Sequence, residues 1–367
     1  MTLDRGAVYL KYEMMNLHRK NLRIFLTVIL TVILTVTLNG CVSKKKEISG
    51  KTLQILTYSS LGSKGGFLES VQKEFEAKSQ CTLQIETTLG AAQILSYLDE
   101  PNQRNRIDVV MGIDSLLFER SKSAFYLANP PSARPRELLL PILKKHLSDV
   151  SLGFIPIDYG ALTFIYRKSD FLGIKLPENL SDLLKPEFKG KWIVQDPRAS
   201  SPGMLFFLFA DSTLVKISAL KKQWTTLAPN WDASYKMFLA RDAGMVWSYL
   251  TSLAYHASKG ESALYGYLNF KEGLPLQIEG MAILNRVGNP YLANPCLEKW
   301  VQFVLSPEIQ AKLVATQYMM PVTPRVTLPK FFAVVPEISK IANLEFTLEK
   351  VDHLISRFGR EVQGDSL

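Results

Sequence analysis

Short apolar runs of strand length alternate along this chain with stretches whose apolar residues recur at helical spacing. Leu53–Tyr58 has a strand pattern, and Phe67, Leu68, Val71 and Phe75 follow with the periodicity of a helix. Leu83–Glu86 alternates like a second strand, Ile94, Leu95 and Leu98 mark a helix, and Ile107–Met111 is a third, largely apolar strand. Such alternation predicts an α/β sheet covered on its faces. The stretch from Asn129 to Pro156 holds five prolines and is expected to skirt the surface. A second series begins at Asp158, with strands predicted at Ala161–Tyr166, Trp192–Val194, Met245–Tyr249 and Gly280–Leu284. Helical segments are predicted at Asn179–Leu184, Pro202–Ala210, Asp232–Ala240 and Ser252–Ser258. Ser306-Pro307-Glu308 opens a further helix, with serine as the cap and proline in the first turn. At 367 residues the chain can build two cores, so two α/β sets fit a pair of lobes around a cleft.

Open α/β sheets bind ligands beyond the carboxyl ends of their strands, which directs attention to four strand ends. Tyr58 closes the first. Asp114 lies just past the third, where it could accept from an amino group or simply cap a helix. Ser200-Ser201-Pro202-Gly203 precedes an apolar helix, and a helix start favours an anion or an electron-rich oxygen; a plain cap is the simpler reading. The run Trp247 to His256 follows Met245 and contains Tyr249, Ser252 and Tyr255. With Trp231 and Tyr318, the tyrosines Tyr58, Tyr249 and Tyr255 could form an aromatic box for an organic cation, although each alone suits a core. Together these groups suit a flat cation that also carries a hydroxyl or phosphate.

The amino-terminal end has the order of a secretory signal. Arg19, Lys20 and Arg23 precede an apolar run from Ile24 to Leu38, which is too short for an ordinary membrane span. It ends in Leu38-Asn39-Gly40-Cys41, which resembles a bacterial lipobox whose cysteine becomes lipid-modified; an uncleaved anchor is the alternative. Residues 1–40 therefore read as a lipoprotein signal peptide, Cys41 as the lipidation site and 41–50 as a lysine-bearing tether. The formal charge of +9 is concentrated at this end, and no basic–aromatic interleaving follows, so nucleic acid is not an expected partner. Cys81 and Cys296 are expected to be free and buried, although an export compartment permits a bridge.

Catalytic chemistry finds little support. The four histidines show no metal-ligand spacing, Gly62-Ser63-Lys64-Gly65-Gly66 is not a complete phosphate loop, and no Gly-x-Ser-x-Gly elbow occurs. His256 is expected to cap or pack. No cofactor, no metal and no enzymatic activity are expected.

At these motifs the chain resembles the periplasmic thiamine-binding proteins of bacterial ABC importers. The resemblance runs from about Leu53 to Phe346. Its most specific pieces are Ile157-Asp158-Tyr159-Gly160, Gln195-Asp196-Pro197-Arg198 through Pro202-Gly203, Trp231 with Ser234-Tyr235 and Phe238-Leu239, Ser248-Tyr249 through Ser252, Ala254-Tyr255-His256, Met320-Pro321-Val322 and Leu344-Glu345-Phe346-Thr347. It implies a two-lobed type II periplasmic-binding fold, each lobe a mixed sheet flanked by helices, with residues 51–157 and 276–322 in lobe 1 and 158–275 and 323–367 in lobe 2. It further implies a periplasmic protein that captures thiamine or its mono- or diphosphate for a permease and ATPase complex; with the lipobox, the expectation is a monomer anchored to the membrane by lipid at Cys41. The ligand-binding residues it implies are Tyr58, Asp114, Ser200, Ser201, Trp231, Tyr249, Ser252, Tyr255 and Tyr318. Ser201 replaces the family's usual threonine and Tyr318 its usual tryptophan. Ser59 and Ser60 stand where an aspartate follows the first tyrosine, and a close-spaced cysteine pair near Cys81 is missing.

Three other readings share these residues. A same-fold ferric binder usually offers adjacent tyrosines, and no Tyr-Tyr pair occurs. A polyamine binder uses several carboxylates, and Asp114 is expected to stand without acidic company. A thiaminase-like enzyme needs a cleft cysteine, whereas Cys81 and Cys296 lie outside the strand-end motifs.

Overall fold

The apolar runs form one continuous mixed sheet. The computed structural model describes residues 52–128, 140–147, 150, 152–285, 289–344 and 347–364, all within the unit Gly50–Leu367. The expected signal peptide, Cys41 and the tether, part of the Asn129–Pro156 connection and the centre of the Leu344–Thr347 motif lie outside the described residues.

Strands β1 (Thr52–Tyr58), β2 (Thr82–Thr88) and β3 (Val109–Asp114) pair in parallel, joined by helices α1 (Phe67–Ser79) and α2 (Ala91–Asp99). Helix α3 (Ser115–Arg120) follows β3 directly. The long strand β4 (Ile155–Arg167) then carries the sheet onward. Next come β5 (Trp192–Gln195), α4 (Ser201–Ser212), β6 (Thr226–Ala228), α5 (Trp231–Leu239), β7 (Met245–Tyr249), α6 (Ser252–Ser258), β8 (Tyr265–Tyr267) and β9 (Leu276–Ile283). Helices α7 (Cys296–Val304) and α8 (Pro307–Gln317), the two-residue strand β10 (Met320–Pro321) and α9 (Leu348–Phe358) complete the chain. The strand order is β2-β1-β3-β9-β4-β7-β5-β6, with β8 and β10 also pairing with β4.

The first half of β4 pairs with β9 and the second half with β7 and β8, all antiparallel, so this strand joins the two halves of the sheet. All of its residues but Tyr166 are buried, as expected of a strand covered on both faces. Helix α4 is buried from Pro202 to Ala210, because the sheet packs on one side and Phe358 of α9 on the other. Phe164, Trp192, Phe206 and Trp247 form the aromatic centre of this half, with rings 5.1–5.8 Å apart. The other half is closed by Phe75 of α1 against Trp300 of α7 at 4.9 Å.

Three local expectations are corrected. Cys81 and Cys296 are bonded, because β2 and α7 start at one end of the same half-sheet and bring their Cα atoms to 6.0 Å. Ser306 does not cap α8 with its side chain; its hydroxyl donates to the Phe303 carbonyl instead. The Asn129–Pro156 connection is not wholly superficial, since it contains the short helix Pro141–His146 with Leu143 and Leu147 buried.

Candidate functional site

All nine sequence-predicted site residues line one cavity of about 370 Å³, a volume in the range of small-molecule pockets. Their positions follow from strand and helix ends. Tyr58 is the last residue of β1 and Tyr249 the last of β7. Asp114 ends β3 and caps α3, its Oδ1 accepting from the Leu117 amide at 2.8 Å. Ser200 caps α4 in the same way, and Ser201 is that helix's first residue. Trp231 opens α5 behind an Asn230 cap, Ser252 and Tyr255 lie on α6, and Tyr318 follows α8 in the left-handed conformation.

One wall is aromatic. Trp231 stacks on Tyr235 at 5.0 Å, Tyr235 meets Tyr255 edge-on, and Tyr255 meets Tyr318 at 5.4 Å and 87°. Tyr249 lies 6.2 Å from Trp231. Hydrogen bonds behind the rings fix this wall. Trp231 Nε1 donates to Ser248 Oγ, which shares a hydrogen bond with Ser252 Oγ. The Tyr235 hydroxyl meets His256 Nε2 at 2.9 Å, and His256 Nδ1 meets Glu261 at 3.0 Å. His256 thus packs, as expected, and it also orients Tyr235. Burial holds its pKa below the ordinary value, although Glu261 pulls it back up.

The floor is acidic, which corrects the expectation that Asp114 stands alone. Glu279 on β9, which lines the cavity with Asp114, is the register partner of Asp114 on β3 and of Asp158 on β4, which is not part of the lining, so three carboxyls cross three adjacent strands. Register partners share a face. Irregularities between Met111 and Ile113 and between Pro156 and Asp158 shift the pairing on each side of β9 and bring both aspartates opposite the same residue. The Tyr58 hydroxyl donates to Glu279 Oε2 at 2.8 Å, and the Tyr249 hydroxyl reaches Oε1 at 3.4 Å. Both rings lie on glycines: a Cβ at Gly112 would come within 2.4 Å of Tyr58, and one at Gly160 within 2.8 Å of Tyr249.

The three carboxyls are 9%, 5% and 1% exposed for Glu279, Asp114 and Asp158. Burial pushes Glu279 up to about 7; the Tyr58 and Tyr249 hydroxyls oppose the rise and the Asp114 charge adds to it. Burial, and then the charge of Glu279, pushes Asp158 well above its ordinary value. Burial raises Asp114 too, against the Ser201 hydroxyl and the amides of α3. Desolvation therefore favours neutral acids in this row.

Several lining atoms have no hydrogen-bond partner of ordinary geometry: Asp114 Oδ2, Ser201 Oγ, Thr251 Oγ1 and Gln277 Oε1, although Ser201 lies near enough to Asp114 to favour its ionised form. A buried polar atom left unpaired costs about 1–3 kcal/mol, so these atoms suit a ligand or water. Among the described residues, no group of three His, Cys, Asp or Glu side chains is placed to hold a metal ion.

Sequence reasoning missed Glu279, Gln277, Asp158 and Tyr235. Gln277 and Glu279 interrupt a buried apolar strand two residues apart, a signal that they face one side together. Asp158 and Tyr235 stood inside quoted motifs without an assigned role.

The model of the bacterial extracellular solute-binding protein family matches residues 106–343. The thiamine-binding periplasmic proteins of Salmonella typhimurium and Escherichia coli are each 31% identical to this chain, covering 82% of it and 88% of their own length. A solved structure of a periplasmic thiamin binding protein is 29% identical and superposes with a TM-score of 0.72 over 85% of this chain and 96% of its own. The likeness in three dimensions carries the two-lobed type II fold, and the chain belongs to the family of bacterial extracellular solute-binding proteins that includes the periplasmic thiamine-binding proteins.

Proposed function

We propose that this protein captures thiamine, or a phosphate ester of it, on the periplasmic side and delivers it to the permease and ATPase of an ABC importer. The observation that carries the reading is a single cavity in which aromatic rings stand over buried carboxyls. A thiazolium cation between Trp231, Tyr249, Tyr255 and Tyr318 gains roughly 0.5–2 kcal/mol from each aromatic face it meets. Asp114 Oδ2 accepts from the pyrimidine amino group. The start of α4, with the Ser201 hydroxyl, receives the ligand's hydroxyl or phosphate. Ser200 and Ser252 hold the helix start and the tryptophan in place. Residues 51–157 with 276–322, and 158–275 with 323–367, act as lobes that close over the ligand by hinge motion. Cys41 carries the lipid anchor, and the protein works as a monomer without cofactor.

Capture without turnover fits the cysteines. A thiaminase-like nucleophile needs a free thiol, and Cys81 and Cys296 are bonded to each other away from the cavity lining. The carboxyl row is a specific observation in favour of a second reading, a polyamine, whereas the breadth of the aromatic wall favours a flat ring. Calorimetry of the chain from Ser49 onward with thiamine, its mono- and diphosphate, and spermidine separates them. The expected outcome is saturable one-to-one binding of thiamine or an ester, with spermidine weaker. Tight spermidine binding with no heat from any thiamine compound would overturn the proposal.

A further inference from the structure

Glu279 has an unusual set of neighbours for a buried carboxyl. From β1 it receives the Tyr58 hydroxyl, and from β7 the Tyr249 hydroxyl. Asp114 on β3 and Asp158 on β4 flank it in register, and Gln277 shares its own strand. Among the described residues no lysine or arginine forms an ion pair with any of the three carboxyls; Lys236, which lines the cavity, pairs with Asp232 at 2.6 Å instead. Arg120 acts on Asp114 only through its field and lies against Asp352 at 3.7 Å. Asp158 has no partner for either oxygen, and Asp114 none for Oδ2. Three adjacent carboxyls with two tyrosine donors and no cation paired to them cannot all ionise cheaply in a buried row. Such a row favours a neutral acid where a cationic ligand would place its charge.

We propose that Glu279, held between Asp114 and Asp158, selects for the ligand's positive charge at the floor of the site and exchanges a proton for it. A carboxyl O–H bond breaks as the cation arrives, the proton leaves to solvent, and the carboxylate remains to balance the ligand. The net charge of the floor and its occupant stays constant through this exchange. Neutral molecules of the same shape displace no proton and leave the row protonated. The inference rests on the thiamine reading and gives it a mechanism of charge selection. Its direction agrees with the elevated pKa of Glu279, near 7, since a carboxyl there is partly protonated at neutral pH.

The test is calorimetry of thiamine binding to the whole protein at pH 7 in PIPES and in Tris, whose ionisation enthalpies differ widely. The expected result is an apparent enthalpy that depends on the buffer and reports proton release. Affinity should rise about fivefold or more between pH 6 and pH 7.5, within the linkage limit of tenfold per pH unit. An uncharged isostere with carbon in place of the thiazolium nitrogen should bind more weakly and show no buffer dependence. In Glu279→Gln the proton release should disappear, a change that loss of packing alone would not produce. Equal enthalpies in both buffers and a flat pH profile, with thiamine still bound by the unaltered protein, would overturn the inference alone. Absence of thiamine binding at every pH would instead overturn the reading on which it rests.

Discussion

Gly112 and Gly160 are small residues with a large effect on the site. Gly112 has φ +83°, a conformation costly for other residues, and the Tyr58 ring occupies the space of its missing side chain. The Tyr249 ring lies against Gly160 in the same manner. Both hydroxyls can therefore reach down to Glu279 while both rings remain beside the cavity. Trp231 and Tyr249 supply the faces on which a cationic ring would rest. Replacing either by alanine is expected to weaken thiamine binding by at least tenfold, about 1.4 kcal/mol, as measured by calorimetry with circular dichroism to confirm folding. Unchanged affinity in both folded variants would remove these rings from the site. At this scale the sequence was informative where chemistry sits at an element's end. Tyr58, Ser200 and Tyr249 mark strand and helix ends that apolar periodicity locates. Glu279 was not legible, because its meaning comes from Asp114 and Asp158, remote in sequence and joined to it only by strand register.

Strand pairing creates the acidic floor, so its energetic consequence belongs to the elements. Folding raises the pKa of Glu279 from an ordinary 4.5 to about 7. Between those values the folded chain holds more protons than the unfolded chain, so this group's contribution to stability is complete below pH 4.5. It is lost as pH rises through 7. His256 works in the opposite direction, because its lowered pKa removes stability as pH falls below its ordinary 6.5. Urea unfolding of the unliganded protein and of Glu279→Gln, at pH 4.5 and pH 8, isolates the first effect. The difference in stability should move in the variant's favour between the two pH values; a constant difference would contradict it. The disulfide acts on the other half-sheet, closing a loop across a separation of 215 residues, a constraint that removes entropy from the unfolded chain. Periodicity located several elements closely: Met245–Tyr249 and Ser252–Ser258 have the bounds expected from sequence. It shortened β4 to Ala161–Tyr166, because Pro156 and Asp158 look like connection residues until β9 pairs beside them. It also left the cysteines apart, since only the packing of α7 against α1 and β1 brings them together.

For the molecule as a whole, one strand joins two half-sheets and the cavity draws lining from both. Tyr58, Asp114 and Glu279 come from strands on one side of β4, and Trp231, Tyr249 and Tyr255 from elements on the other. A ligand touching both sets would bridge the two halves of the sheet. The α/β class followed from alternation alone, since strand and helix periods differ and each leaves its mark. The junction through β4 did not, because a buried strand reads the same whichever partners flank it. The account turns on aromatic faces and an acidic floor meeting around one flat cation. A crystal structure grown with thiamine examines that directly. It should show the thiazolium against Trp231 and Tyr249, with the carboxylate of Asp114 or Glu279 facing the ligand's positive side. Thiamine bound elsewhere, or a cavity that closes on its own side chains and excludes it, would contradict the account.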